Sequence, residues 1–261
     1  MGDPTSDPRA AVAADLAGAG CVAPHDEADE LIRAATAGAG PLAGLVARRV
    51  RGEPLAWITG STSFGGLRIA VDPGVFEPRP LSEALAERAA SRLPADGIAV
   101  DLCTGSGAVA AVLADRHPGA TVLATDIDPS AVACARRNGV RARLGDLFEP
   151  VPDDLRGRVD LVTAVTPYVP SEELYLLPRD VQAYEPKVAL DGGPEGLAVS
   201  RRVVDDAGRW LRPGGVLLFE VGGDQAASLA PHLAAAGFGA VEVHDGDDGW
   251  PRIVEAVLEP R

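Results

Sequence analysis

The sequence predicts an α/β fold, in which a small helical segment precedes a doubly wound, mostly parallel sheet of seven strands. From Gly97 onward, short apolar runs alternate with helical patterns, and the runs end at or next to Gly, Asp or Pro. Of the 261 residues, 46% are hydrophobic and only 4% are aromatic, so Ala, Val and Leu must build the core. Such a composition suits buried parallel strands that lie between Ala-rich helices.

The first part of the chain is expected to form about three short helices between residues 9 and 50, separated by breaks that contain Gly and Pro. Asp26 is a candidate N-cap for one of them. Leu55–Thr59 and Leu67–Val71 are typical of two strands joined at the turn SFGG. We therefore expect three units in chain order: a helical N-terminal domain over 1–54, a β-hairpin linker over 55–75 and a larger domain over 76–261.

The larger domain is predicted to open with a helix over Ser82–Leu93, after a Pro-rich connector. Helical stretches separate several of the apolar runs that follow, as expected for strands paired in parallel. The seven predicted strands are Ile98–Leu102, Thr121–Thr125, Val140–Leu144, Val159–Val165, Val216–Val221, Ala240–His244 and Ile253–Leu258.

Charge and composition argue against several classes of protein. The net charge of −14 disfavours direct binding of nucleic acid, which usually needs a basic face. The three cysteines are widely spaced and the four histidines are scattered, so we expect neither a disulfide framework nor a metal site. No apolar run approaches the length of a membrane span, and the start MGDPTSDP lacks the features of a signal peptide. We expect a cytoplasmic protein that makes no contact with membranes.

The segment DLCTGSG ends the first strand of the larger domain and precedes a helix, where glycines allow a tight turn and close approach to a ligand. Gly105 and Gly107 fit a dinucleotide fingerprint, and Asp126 follows about 20 residues later, where a ribose-binding acid is expected. Cys103 and Thr104 belong to the same candidate loop. A dinucleotide site, a structural turn and a site for S-adenosyl-L-methionine (SAM) all remain open on this segment alone.

Three acids at successive strand ends favour SAM. Asp101 precedes the glycines, where a carboxylate suits the ammonium group of a methionine moiety but would repel a pyrophosphate. Asp126, which Ile127 follows, can accept hydrogen bonds from both ribose hydroxyls. Asp146 can accept from the adenine amino group while the neighbouring Leu147 or Phe148 covers the ring.

The fourth strand ends in Val165, Thr166, Pro167 and Tyr168. A strand that runs into Pro and an aromatic residue places a rigid carbonyl and a ring beside the donor methyl group. Such a site can hold a planar amide or an amine. A strand that simply ends at Pro, with a packed Tyr, explains this segment equally well.

At these residues the sequence resembles the bacterial glutamine-amide N-methyltransferases that modify class-1 peptide release factors. The similarity runs from about residue 30 to near the end of the chain, and its motifs are specific in order and spacing. The matching segments are GEPLAWITGSTSFGGLRIAVDPGVFEPRPLSE, DLCTGSGAVA, ATDIDPSAVACARRN, GDLF, TPYVP, YEPKVALDGGPEGL, WLRPGGVLLFEVGGDQ and AAAGF.

The resemblance implies a class I SAM-dependent methyltransferase domain, with a helical N-terminal domain that docks a protein substrate. It also implies that Arg79 and Glu83 of the PRPLSE loop lie near the cofactor. The family has Asn-Pro-Pro-Tyr at the acceptor, where the Asn oxygen and the next carbonyl accept the two N–H groups of the substrate amide. Here Val165 replaces that Asn, and only the carbonyl and hydroxyl of Thr166 remain as nearby acceptors.

Three functions are therefore considered. The first is N-methylation of a glutamine side-chain amide in a protein such as a release factor. The second, favoured by Val165, is methylation or another SAM-dependent transfer to a small molecule. The third is a SAM-binding protein without catalytic activity.

Overall fold

The computed structural model describes residues 7–246 and 251–260. The first six residues of the MGDPTSDP start lie outside this range, as do 247–250 and Arg261. Among the described residues, no helix is long and apolar enough to cross a membrane.

Three helices form the N-terminal part, as the sequence predicts: α1 (Pro8–Gly18), α2 (Pro24–Thr36) and α3 (Leu42–Val50). Their apolar faces share one core, around the buried side chains of Leu16 and Leu31. The predicted N-cap at Asp26 is wrong. The N-cap is Ala23, three residues earlier, because Pro24 occupies the first position of α2, and Asp26 lies within the first turn.

The predicted hairpin exists, but its first strand was placed too early. Leu55–Thr59 is helix α4, and the strands are β1 (Ser61–Phe64) and β2 (Leu67–Ala70), paired antiparallel. A half-exposed strand would alternate buried and exposed residues, whereas Ala56, Trp57 and Ile58 are all buried. The helix ends at Gly60, whose φ of 79° is left-handed.

The seven predicted strands of the larger domain are all present in one sheet, in the order β5-β4-β3-β6-β7-β9-β8. Strands β3 to β7 run parallel, while β9 pairs antiparallel with both β7 and β8. The strands are β3 (Ile98–Leu102), β4 (Thr121–Asp126), β5 (Arg141–Leu144), β6 (Val159–Ala164), β7 (Leu211–Glu220), β8 (Phe238–Asp245) and β9 (Pro251–Leu258).

Helices cover both faces of this sheet, and each face has its own apolar core. On β3, Val100 and Leu102 face one core while Ala99 faces the other, as the alternation of a strand requires. The helices are α5 (Ser82–Arg92), α6 (Ala108–Arg116), α7 (Pro129–Arg137), α8 (Arg179–Tyr184), α9 (Ala198–Trp210) and α10 (Gln225–Ala235).

The chain order of the strands reverses between β3 and β6. From β3 the chain winds outward through β4 to β5, and it then returns to the other side of β3 with β6 and β7. In open sheets of this type, ligands bind beyond the carboxyl ends of the strands at such a reversal. This point of the sheet is therefore where a site is expected.

Candidate functional site

A cavity of about 840 Å³ lies at this reversal, beyond the carboxyl ends of β3, β4, β6 and β7. Its volume is within the range of sites for small ligands. It brings together both sets of residues that the sequence analysis singles out. Lining residues include Arg79, Asp101, Cys103, Thr104, Gly105, Asp126, Ile127, Asp146, Leu147, Val165, Thr166, Pro167 and Tyr168.

Two of the predicted site residues do not line this cavity. Gly107 faces α7 instead, and a Cβ atom built on it would lie 2.9 Å from the Cβ of Ala135. Its φ of 83° also requires a residue without a side chain. Glu83 lies in the first turn of α5, one residue after Ser82, which does line the cavity.

The loop after β3 is sharply turned. Cys103 has a φ of 53°, in the left-handed region where a side chain causes strain. Burial raises the pKa of its thiol, which keeps the sulfur protonated and argues against a nucleophilic role. The residue acts here as part of the turn.

Asp101 is a buried carboxylate, with only 2% of its surface exposed. The hydroxyls of Thr104 and Thr163 donate to it at 2.5 and 2.7 Å. Burial raises its pKa to about 6, although both hydrogen bonds act in the opposite direction. A buried carboxylate with no basic partner of its own favours a cationic ligand.

Asp126 links the loops that follow β3 and β4. Its two oxygens accept from the backbone N–H groups of Gly105, at 2.8 Å, and of Asp128, at 2.9 Å. Burial raises its pKa in spite of these bonds. Asp128 itself caps α7 by accepting from the N–H of Ser130.

Asp146 follows β5 and pairs with Arg202 of α9 at 2.6 Å. The sequence analysis did not single out Arg202, because no motif marks a partner 56 residues away. Leu147 is both part of the core and part of the cavity wall, and it holds a φ of 47°. An acid and an apolar side chain thus lie together in the cavity wall, whereas Phe148 does not line the cavity.

The acceptor segment 165–168 is held in place by a neighbouring loop and by α10. Gln225 donates from Nε2 to the carbonyl of Tyr168 at 2.8 Å. A Cβ atom on Gly192 would lie 2.6 Å from the carbonyl oxygen of Pro167, and one on Gly196 would collide with that of Tyr168. Only glycines permit this close approach, so the segment is firmly positioned.

Position 165 is apolar, as the sequence indicates, and Val165 packs against the core. The hydroxyl of Thr166 is buried and shares a 2.8 Å hydrogen bond with the hydroxyl of Ser200. It is therefore already engaged within the protein. A further acid, Glu220, ends β7 and lines the cavity at 7% exposure. Glu220 was not among the predicted site residues, although an acid at the end of an apolar strand could have indicated it.

Arg79 lies at the cavity wall between an aromatic ring and a buried acid. Its guanidinium is 4.7 Å from the ring centroid of Phe76 and 2.5 Å from Glu185. Burial raises the pKa of Glu185, while the charge of Arg79 lowers it; the net shift is upward. Arg79 thus neutralises an acid that the fold has largely removed from water.

Although the four histidines are scattered along the sequence, His244 lies close to two acids in the structure. Its side chain is only 25% exposed, and its ring nitrogen lies 3.5 Å from Glu255 and 3.7 Å from Glu242. The three could hold a metal ion, since their ligand atoms lie within 4.8 Å of one another. However, Arg88 and Arg92 already pair with Glu255 and offset its charge.

Comparison with known proteins identifies the relatives of this chain. Residues 66–160 match the family model described as the methyltransferase small domain. The release factor glutamine methyltransferase of Geobacter sulfurreducens is 39% identical over 217 residues, which are 81% of this chain and 75% of that protein. That of Mycobacterium leprae is 42% identical over 223 residues, covering 81% of this chain and 76% of that protein.

Solved structures show the same fold at lower identity. A methyltransferase from Pyrococcus furiosus gives a TM-score of 0.56 at 20% identity, covering 82% of this chain and 98% of that one. The E. cuniculi Mtq2–Trm112 complex, responsible for methylation of the eRF1 translation termination factor, gives a TM-score of 0.54 at 22% identity. The match covers 72% of this chain and 99% of that one.

The fold and the relatives together define the class of protein: this chain is a class I SAM-dependent methyltransferase. More narrowly, it belongs to the release factor glutamine methyltransferase family. The alternative of a SAM-binding protein without catalytic activity is therefore set aside.

Proposed function

We propose that this enzyme methylates the side-chain amide nitrogen of a glutamine in a protein substrate, a class-1 peptide release factor. One observation carries the proposal: the candidate donor acids and the acceptor segment 165–168 line the same cavity. The family relationship supports the same substrate. Since translation termination is the process concerned, the proposed place of action is the cytoplasm.

The donor end of the cavity fits SAM. The carboxylate of Asp101 would pair with the ammonium of the methionine part, which relieves the cost of burying that carboxylate. Asp126 would accept from the ribose hydroxyls, because a carboxylate has about four acceptor positions and backbone groups use two. Asp146 and Leu147 would contact the adenine. SAM supplies an electrophilic methyl group, so the protein mainly has to position the acceptor.

At the acceptor end, the backbone carbonyl of Thr166 would receive one N–H of the amide and the ring of Tyr168 would flank the amide plane. The close packing of Gly192 and Gly196 against this segment supports such a role, because it fixes the direction of the carbonyls.

The helical N-terminal part, residues 1–54, is proposed to dock the substrate protein. It contacts α8: Tyr184 of this helix donates to the carbonyl of Arg51 at 3.4 Å, and the same ring meets Trp57 of the adjoining α4 edge-on at 6.2 Å. Val181 of α8 lines the cavity. A protein bound to the N-terminal helices would therefore lie beside the cavity mouth.

Mass spectrometry tests the proposal. The purified enzyme is incubated with methyl-labelled SAM and the release factors of its own host, and the tryptic peptides are analysed. We expect one label on the glutamine of the Gly-Gly-Gln motif, and none when SAM is omitted. An unlabelled glutamine under conditions where the enzyme binds SAM would contradict the proposal.

Val165 supports a second candidate, transfer to a small molecule, because the amide-binding Asn of the family is absent. The same assay separates the two functions when it is repeated with the Val165→Asn variant. If the wild type leaves the glutamine unmethylated and the variant labels it, the result would favour the small-molecule function.

A further inference from the structure

Glu220 lies directly beside the position where the acceptor Asn is missing. In the parallel pairing of β6 with β7, Ala164 is opposite Phe219, so the next residues along, Val165 and Glu220, are neighbours. Both line the cavity. Side chains on a strand alternate between faces, and this alternation places Val165 and Glu220 on the same face of the sheet.

Several other acids of the cavity wall also have hydrogen-bond or ion-pair partners within the protein. Asp101 receives two hydroxyls, Asp126 two backbone N–H groups, and Asp146 pairs with Arg202. Asp191 accepts from Ser171 and from a backbone N–H. Glu220 also interacts within the protein, but a carboxylate has about four acceptor positions and so keeps room for a ligand.

Amide methylation needs an acceptor at this place for two reasons. The amide lone pair is delocalised, and a hydrogen bond that an N–H donates makes the nitrogen a better nucleophile. In addition, the nitrogen must lose a proton: a new N–C bond forms, the electrons of the broken S–C bond stay on sulfur, and one N–H proton leaves. A carboxylate forms strong hydrogen bonds with N–H donors and can take up that proton.

We propose that Glu220 is a catalytic residue that accepts one N–H of the substrate amide, in the place of the missing Asn, and receives the proton released on methylation. The inference rests on the proposed function, since it requires an amide as the methyl acceptor. Where Val165 leaves the wall of the cavity apolar, the adjacent acid supplies a polar side chain.

Four variants test this role: Glu220→Gln, Glu220→Ala, Val165→Asn and the double variant Val165→Asn/Glu220→Ala. For each, kcat and KM with the release factor are measured, together with the affinity for S-adenosylhomocysteine. Glu149→Gln serves as control, because Glu149 is an exposed acid outside the cavity wall.

We expect Glu220→Ala to lower kcat about ten- to a hundredfold, as for the loss of a buried hydrogen-bond partner, with unchanged affinity for S-adenosylhomocysteine. Glu220→Gln keeps the shape and one acceptor oxygen but binds no proton, so its kcat should lie between those of Glu220→Ala and the wild type. Val165→Asn should restore part of the activity of Glu220→Ala, because it returns an acceptor to the neighbouring position. A purely structural Glu220 would not be rescued in this way.

The outcomes are distinguishable. Wild-type kcat in both Glu220 variants overturns the role of Glu220, while label on the glutamine still supports the proposed function. A loss in Glu220→Ala that Val165→Asn does not rescue also overturns it. If Glu220→Ala does not fold, Glu220→Gln decides, and full activity there overturns the role. A wild type that leaves the release factor unlabelled contradicts the proposed function itself, and the inference with it.

Discussion

At the scale of single residues, the surroundings of Asp101 bear on its proposed role in binding an ammonium group. Its carboxylate is buried and accepts from neutral donors, among them the hydroxyls of Thr104 and Thr163, so desolvation dominates and its pKa is raised from 3.8 to about 6. In the unliganded enzyme this group stabilises the fold below pH about 4 and loses that contribution as the pH rises through about 6. A bound ammonium group would favour the ionised form of Asp101 and so lower its pKa again.

The first prediction follows from this linkage. The affinity for SAM, measured by calorimetry, should fall as the pH is lowered through about 6, because protonated Asp101 no longer attracts the ammonium group. Asp101→Asn should bind more weakly at pH 7.5 and show a flatter pH dependence. Some dependence will remain, since burial also raises the pKa of Asp126. If the affinity of the variant for SAM depends on pH as steeply as that of the wild type, Asp101 does not contact the ammonium group.

At the scale of elements, ion pairs between side chains connect α5 to the antiparallel edge of the sheet. Glu255 of β9 is only 1% exposed, and two arginines one helical turn apart, Arg88 and Arg92, pair with it. Arg88 also reaches Glu242 of β8 at 3.1 Å. A buried carboxylate is costly without a partner, so the arginines are needed to keep this acid inside the protein.

Removing both arginines should therefore be far more damaging than removing an exposed one. We expect Arg88→Ala/Arg92→Ala to lower the free energy of unfolding by about 3 kcal/mol, because the buried carboxylate of Glu255 loses both of its arginine partners. Arg116→Ala, whose pair with Glu87 is exposed on both sides, should cost about 1 kcal/mol or less. Urea unfolding measures both. Equal losses in the two variants would mean that Glu255 is hydrated.

The elements also show what the sequence could and could not predict. All seven strands of the main sheet were predicted, most of them as apolar runs that end at or next to a turn residue, although β5 alternates arginine with apolar residues. Helix α4 was mistaken for a strand because five residues are too few to show a helical period. The pairs Thr166–Ser200 and Asp146–Arg202 were not predictable, because they depend on how α9 packs over the strand ends.

At the scale of the whole molecule, the N-terminal helices and the cavity are connected through α8. Gly52, just after α3, lies against this helix: a Cβ atom on it would be 3.0 Å from the Cβ of Asp180. Val181, the next residue of α8, lines the cavity. A displacement of the N-terminal part would thus be transmitted to the cavity wall, while the donor acids on β3 and β4 lie on the rigid sheet.

A pair of glycine variants tests this connection. Gly52 and Gly38 have nearly the same left-handed φ, 89° and 90°, but nothing lies within 4 Å of a Cβ atom on Gly38. Alanine at either position should cost similar backbone strain, about 1–3 kcal/mol, seen as a lower melting temperature. Only Gly52→Ala also presses on α8, so it alone should raise KM for the protein substrate. Its affinity for S-adenosylhomocysteine should match that of Gly38→Ala. An equal KM in the two variants would show that the N-terminal part does not influence the cavity through α8.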